Sequence, residues 1–484
     1  MIAAKSSHFF EMAEDPVTPA KYVLKMERSV DIPLEVNGRW WLPEKPDYKV
    51  KGTLRISEHG DSVLTLLGGL RQVEEWAERT EHEGGVTYGV SEELMRSSGV
   101  YRRILGTDGL VAFTLEDCLQ FRRTNVLLPE YGLELIRANQ VFRGVWFEPE
   151  ERIAGTGISF ALDLLQDWLM ESGLRQKWNA ATDGNLNSPL PDGVPRFELE
   201  AMTIGNRDLM IGNQKLTLKH SVGTSGGRLG ELSLTEEFYW KINSPELVEL
   251  SSLLRTAGNV QDLVSIGTNR RAAFRNVSLL HPDVYWESDS DRAPKPIQVF
   301  AHWNVQPVIR KRLLVEEEMF FSFVQFGGID GTQRWMEAAS RHQRALGRAM
   351  ATHYSKSMYV SDRLLNCCAA LEAFDRTLNG FENSKFTSRL KRCASYAGPI
   401  FGTLVGEIST WLEEVRVERD DAAHNLGTGS TTTRAYYLWK SLYLLFVLCM
   451  LNDSGCPDEA TRHLEKHQEF RLVQKRLSAR QGKA

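Results

Sequence analysis

Over the first two thirds of this chain, apolar and polar residues alternate or gather in short apolar runs. Residues 50–56 and 63–67 are two such runs, and Ser57-Glu58-His59-Gly60-Asp61 between them reads as a hairpin turn. Residues 109–114, 120–128 and 140–147 continue the pattern, punctuated by Gly68-Gly69, Gly84-Gly85, Pro129 and Pro149. A second β-type stretch covers residues 198–326, with 197–204, 215–222 and 231–242 as strand-like segments and Gly223-Thr224-Ser225-Gly226-Gly227 as a loop. Within it, residues 244–256 predict a helix capped by Ser244, with Pro245 at its first position. The Asn- and Pro-rich residues 173–195 read as a linker or long loop.

After Gly327-Gly328 the period changes. Leu364, Leu365, Cys368, Leu371, Phe374 and Leu378 recur at three- and four-residue spacing, the stripe of a helix with one buried face. Segments 331–350, 360–378, 385–394, 404–426, 434–451 and 457–477 all predict helices. The expected fold is α+β and multidomain: a β-rich N-terminal region, sandwich or barrel-like, then an all-α bundle. The expected divisions are residues 1–172, residues 173–327 (continuous with the first segment or separate from it) and residues 328–484.

Composition narrows the function classes. A chain of 484 residues exceeds one ordinary core. With 58 Lys and Arg against 63 Asp and Glu, it is not coated in basic charge for nucleic acid, although a local basic cleft needs few residues. None of the six cysteines, Cys118, Cys367, Cys368, Cys393, Cys449 and Cys456, has C-x-x-C spacing, which argues for reduced thiols and a cytoplasmic setting. The longest apolar stretch, residues 442–451, falls short of the roughly 20 residues of a membrane span, so a buried helix and no membrane are expected. The N-terminus shows no leader pattern. With no C-x-x-C pair and no Gly-x-x-x-x-Gly-Lys loop, neither a metal nor a nucleotide cofactor is expected.

One chemical motif remains, an arginine followed five or six residues later by a histidine. It occurs four times: Arg275 with His281, Arg348 with His353, Arg419 with His424, and Arg462 with His467. Spacing alone therefore selects nothing, and context must choose. Arg275 lies in a β-type region, Arg348 is followed by a small apolar residue, and Arg462 sits on a charge-crowded helix. Only Arg419 combines a following Asp420, an Asn425 after the histidine, a helix stop at Gly427 and a strongly apolar helix beyond.

The helical third resembles a HEPN domain, the helical fold of many prokaryotic toxins and RNA-cleaving defence proteins. The resemblance rests on Arg419-Asp420-x-x-x-His424, the helix before it, the apolar helix from Tyr436, and the segments carrying Leu371-Glu372, Phe374 and Phe386-x-x-Arg389-Leu390. Gly38-Arg39-Trp40-Trp41-Leu42-Pro43 followed by Val50-x-Gly52-Thr53-Leu54 resembles the start of ApeA-type anti-phage proteins, which carry a HEPN domain at the C-terminus. The tryptophan pair reads structurally as a buried anchor at the start of a sheet.

Together these resemblances imply a ribonuclease that needs no metal and attacks with the RNA's own 2′-hydroxyl. Histidine titrates near neutrality, so His424 is the expected general acid or base. Arginine presents a fork of donors to phosphoryl oxygens, so Arg419 is the expected clamp. Asp420 would orient the imidazole or pair with Arg419. Asn425, Arg416 and Arg434 are candidates to hold substrate, with Lys385, Arg389, Lys391 and Arg392 as further basic positions. Products would carry 2′,3′-cyclic phosphate and 5′-hydroxyl ends, and the RNA could be a transfer RNA. Arg419 and His424, five apart, point about 140° from each other on an ideal helix. HEPN relatives commonly complete such a site by dimerising, which makes residues 436–451 a candidate contact or else a core helix. The β-rich region would sense a phage trigger or restrain the nuclease. The competing readings are a non-catalytic HEPN scaffold that binds RNA or dimerises, and a carbohydrate-binding or hydrolytic β region resting on its tryptophans.

Overall fold

The computed structural model describes residues 33–478 apart from 59, 72–77, 84, 90–98, 125–131, 180–189, 191–196, 226–232, 287–292, 304, 307–311, 382 and 425–430. The β-rich region opens with a closed, antiparallel six-stranded barrel. Its strands are β1 (Leu34–Trp41), β2 (Val50–Ile56), β3 (Ser62–Leu67), β6 (Val100–Thr107), β7 (Ala112–Arg123) and β8 (Leu133–Arg143), in the cyclic order β1-β2-β3-β8-β7-β6. A small hairpin, β4 (Glu78–His82) with β5 (Gly85–Gly89), projects from it. Alternation explains the closure: along β3 every second residue is buried, and Leu54, Leu64, Leu66, Ile104, Phe113 and Leu115 fill the interior. The last seam joins β1 to β6, where Trp40 faces Gly106. A Cβ on Gly106 would stand 2.1 Å from the Trp40 ring, so only glycine lets the indole lie across that seam. Trp40 and Trp41 are buried anchors, as the sequence suggests.

Strand β8 belongs to two structures. Along one edge it pairs with β7, whereas the other edge is divided: residues 133–138 pair with β3 and residues 140–143 pair with β16 (Ile297–Ala301). From β16 the sheet continues through β15 (Phe274–Leu280), β9 (Ala154–Leu162), β14 (Ser233–Glu249), β13 (Gln214–Ser225) and β12 (Arg207–Ile211). Strand pairing therefore runs unbroken through both β-rich segments. The residues read as a linker contain β10 (Leu174–Trp178), which pairs with β11 (Phe197–Ala201). A short helix α1 (Leu165–Leu169) follows β9, and helix α2 (Leu250–Gly267) packs on β9 and β14.

Nine helices follow among the described residues: α3 (Gly328–Arg341), α4 (Gln343–Tyr354), α5 (Val360–Asn379), α6 (Phe386–Tyr396), α7 (Pro399–Val405), α8 (Ile408–His424), α9 (Thr432–Asp453), α10 (Asp458–Lys466) and α11 (Gln468–Ser478). Helix α9 is the axis, touching α3, α5, α6, α7 and α11. It is long and apolar enough to cross a membrane, yet 78% of its most apolar window is buried inside the protein. All six cysteines are free.

Several boundaries differ from the sequence expectation. Residues 112–114 and 120–123, from two separately expected runs, belong to one strand, β7; β6 was missed, and β8 begins seven residues before the expected 140. The predicted helix at 244–256 is strand as far as Glu249. Pairing of β14 with β9 slips between Asn243 and Val248, and Pro245 sits in that irregularity, where no ladder donor is needed. Ser244 Oγ accepts from the Glu246 N–H inside the bulge rather than capping α2. The helix expected at 331–350 divides at His342, whose ring is buried, stacks on Phe374 at 4.2 Å and bonds Asp453. Segments 404–426 and 457–477 each divide in two as well.

Candidate functional site

Helix α8 carries the expected catalytic residues. Trp411, Leu412, Val415 and Glu418 are buried, the i, i+1, i+4, i+7 pattern of a helix with one inward face. Trp411 fixes the helix rotation: its Nε1 donates to Ser441 Oγ of α9 at 2.9 Å, and its ring meets Phe401 edge-on at 4.9 Å. With that face turned inward, Arg416, Arg419 and Asp420 lie half-exposed on the flank, and His424 is exposed in the final turn.

Arg419 has two contacts. Its guanidinium lies 4.6 Å above the Phe386 ring, at the first residue of α6, and its Nη1 is 3.3 Å from Asp420 Oδ1. The ring stacks on the guanidinium without consuming N–H groups, so it holds the arginine in place and leaves donors over. Phe386 was not singled out by the sequence reading, although the Phe386-x-x-Arg389 segment was. Asp420 is also 3.0 Å from Arg416 Nη1, so its carboxylate is bracketed by two arginines and has no bond to the imidazole. Arg416 is held in turn by Glu413 at 2.6 Å, which raises its guanidinium further above the usual arginine range and lowers the Glu413 carboxyl. His424 has no hydrogen-bond partner among the described residues. Asn425 and the expected stop at Gly427 lie outside the described residues.

The remaining basic candidates divide by role. Arg434 ties three helices together: it pairs with Glu414 of α8 and donates to the Arg476 carbonyl of α11 at 3.1 Å. Arg389 is buried and pairs with Asp375 at 2.9 Å, and Arg392 grips the same carboxylate at 2.6 Å. Burial alone would raise the Asp375 carboxyl, but Arg392, Asn379 and Arg389 outweigh it and hold the group below the usual carboxylate range. Arg389 and Arg392 are thus spent on joining α5 to α6, and Arg434 on joining α8 to α9 and α11. Residues 442–451 of α9 are all buried within the chain, so a second copy would have to seat on other residues.

In the other arginine–histidine pairs the histidine ring packs against an aromatic ring of the fold. His281 packs against Phe147 at 6.1 Å, and His353 stacks on Tyr443 at 5.4 Å. His467 lies at the break between α10 and α11 with its ring against Phe320 at 4.8 Å, not on a solvated helix face as its charged surroundings suggest.

Residues 35–329 match the family model described as ApeA N-terminal domain 1. The chain belongs to the ApeA family. The match takes in barrel, second sheet and α2, and stops at the second residue of α3, where the helices begin. The ApeA match supports a role in anti-phage defence. No curated protein and no solved structure matches the chain.

Proposed function

We propose that this ApeA-family chain is a metal-independent endoribonuclease of the HEPN type, restrained by its β-rich region until infection. One observation carries the reading. Arg419 and His424 stand at the outer end of one well-anchored helix, the arginine positioned by Phe386 and the imidazole unclaimed by any carboxylate among the described residues. In the reaction, the RNA 2′-oxygen attacks its neighbouring phosphorus and the bond to the 5′-oxygen breaks. The imidazole of His424 takes the hydroxyl proton or protonates the leaving oxygen, and Arg419 holds the phosphoryl oxygens as charge grows on them. Asp420 positions the two arginines rather than the imidazole.

The two groups are separated by about 7.5 Å along the helix axis and about 140° around it. A single helix end therefore supplies either the acid–base group or the clamp to a given phosphate, and a second copy of the chain supplies the other. Dimerisation is part of the proposal for that reason. The test is to sequence 5′-hydroxyl RNA ends from cells expressing wild type, Arg419→Ala or His424→Ala. Wild type should create new ends, and each variant should reduce them by at least about 100-fold. Cleavage that survives both substitutions would mean that the site is elsewhere. A wild type that binds RNA without producing ends would favour the scaffold reading.

A further inference from the structure

Where the second sheet meets the helices there is a cleft of about 520 Å³, within the range of small-ligand sites. One wall is Asp163, Leu164 and residues 269–271 of the ApeA domain; the other comes from α4, α5, α9 and α11. Four cations line it against two carboxylates. Glu469 is occupied by Lys440 and by Asn269 at 2.6 Å. Among the described residues, the Arg270 guanidinium makes a single long contact, 3.5 Å to Glu318.

The other two cations are held by backbone rather than by carboxylates. Arg271 donates to the carbonyls of His353 and Ser355 at 2.8 and 2.9 Å. Arg363 donates to those of Met358, Thr352 and Ser355. Both therefore crowd the end of α4, where the helix dipole is negative, and both keep N–H groups to spare. Burial first, and Arg363 second, push the Arg271 guanidinium below its ordinary value. The two guanidiniums repel each other, and an anion seated against both would relieve that repulsion.

The cleft also has a flat, apolar part. Trp439 lies 4.8 Å beneath Arg363, and Tyr436, its edge-on neighbour at 5.2 Å, stands at the rim. His353 also lines the cleft, and its Nε2 is buried without a partner among the described residues. Burial and then Lys440 hold that imidazole at about 4, while Arg270's backbone takes a hydrogen bond from the ring. At neutral pH, Nε2 is a buried acceptor that lacks a donor.

We propose that this cleft binds a nucleoside phosphate: the arginines and Lys440 take the phosphate oxygens, Tyr436 and Trp439 pack the ring, and His353 accepts an N–H from the base. Because the walls belong to the ApeA domain and to the helices, an occupied cleft ties the two together. The inference is independent of the ribonuclease reading.

Calorimetry and thermal melting on the full chain test it, with ATP, AMP, adenosine and inorganic pyrophosphate as probes. ATP should bind and raise the melting temperature. Arg270→Ala, at a half-exposed side chain that folding tolerates, should weaken ATP by about tenfold or more. Tyr436→Ala should weaken ATP and AMP and leave pyrophosphate unchanged. His424→Ala should bind ATP like wild type, which separates this cleft from the α8 site. Absence of ATP binding at about 1 mM overturns the proposal, since that affinity is already only marginal. So does ATP binding that both variants leave intact, or pyrophosphate binding as tight as ATP.

Discussion

The barrel and the second sheet share a strand but not a core. Barrel residues from Leu34 to Val141, joined by Phe300, form one hydrophobic cluster. The second sheet belongs to another cluster, which begins at Phe142 and runs without a break through α2, the Met319–Phe326 segment and every helix to Leu477. The change of core falls inside β8, between Val141 and Phe142, where alternate side chains face opposite sides of the strand. The ApeA match ends at residue 329, but the packing boundary lies nearly 190 residues earlier. Half of the ApeA domain is thus mechanically part of the helical region, and the barrel alone is free to respond to something else. Under the proposed function, a trigger bound at the second sheet would act on the helices through the shared core, whereas one bound at the barrel would act through β8.

Trp335 tests that division most severely. It is fully buried, donates to the Asn259 carbonyl of α2 at 2.8 Å and packs on Phe326, bridging sheet side and helix side. Trp335→Ala should cost about 3–5 kcal/mol. Amide exchange should accelerate in β9, β14 and α9 together while the barrel keeps its protection. Phe113→Ala, at a fully buried barrel position, should cost a similar amount, about 3–5 kcal/mol, with the opposite pattern. If both variants deprotect the whole chain equally, the two cores unfold as one and the comparison fails.

Within the large core, the next lever is the buried pair of Asp375 and Arg389. Arg389→Ala leaves the carboxylate to Arg392 and Asn379 and should cost about 3 kcal/mol by denaturant titration, less if Arg392 closes in. Exchange should quicken in α5 and α6 and not in the barrel.

A third lever joins sheet side to helix side through a proton. The Asp262 carboxyl on α2 accepts from the Tyr354 hydroxyl on α4 at 2.5 Å, and burial pushes it up to about 7. Unfolded, it would titrate near 3.9. The folded form holds its proton longer, so this contribution is complete below about pH 4 and is lost as pH rises to about 7. Asp262→Asn keeps the acceptor and removes the titration. It should flatten that slope, leaving the variant on the order of 1–4 kcal/mol more stable than wild type at pH 8 and no more stable at pH 4.5. Parallel melting curves at both values would show that Asp262 does not titrate in this window.

How much of this was legible in the sequence follows from what each signal encodes. Period-2 alternation marked β2 and β3 because one face of each fills the barrel, and three-and-four spacing marked α5 because its stripe faces α9. Strand pairing left no such mark. The bulge at Ser244-Pro245 looks like a helix start because a capping serine and a proline suit both. The break at His342 was hidden because it arises from a distant partner, Asp453. At the candidate site, the sequence assigned roles to Arg419, Asp420 and His424 but none to Phe386, which meets Arg419 from another helix. The cleft was illegible altogether: its cations come from three separate segments, and none forms a local motif.

The smallest expected effect on stability belongs to the residue with the largest expected effect on activity. His424 is exposed, in the last turn of α8, and contributes to neither core. His424→Ala should therefore leave stability within about 0.5 kcal/mol of wild type. Arg419→Ala removes a guanidinium stacked on Phe386 and should cost about 1 kcal/mol, still without touching barrel or sheet. Loss of RNA cleavage with unchanged melting curves would place the chemistry on a part of the helical region that the shared core supports but does not include. If His424→Ala instead lowers stability by several kcal/mol, the imidazole is a structural element of the α8 terminus, and any loss of activity in that variant would say nothing about catalysis.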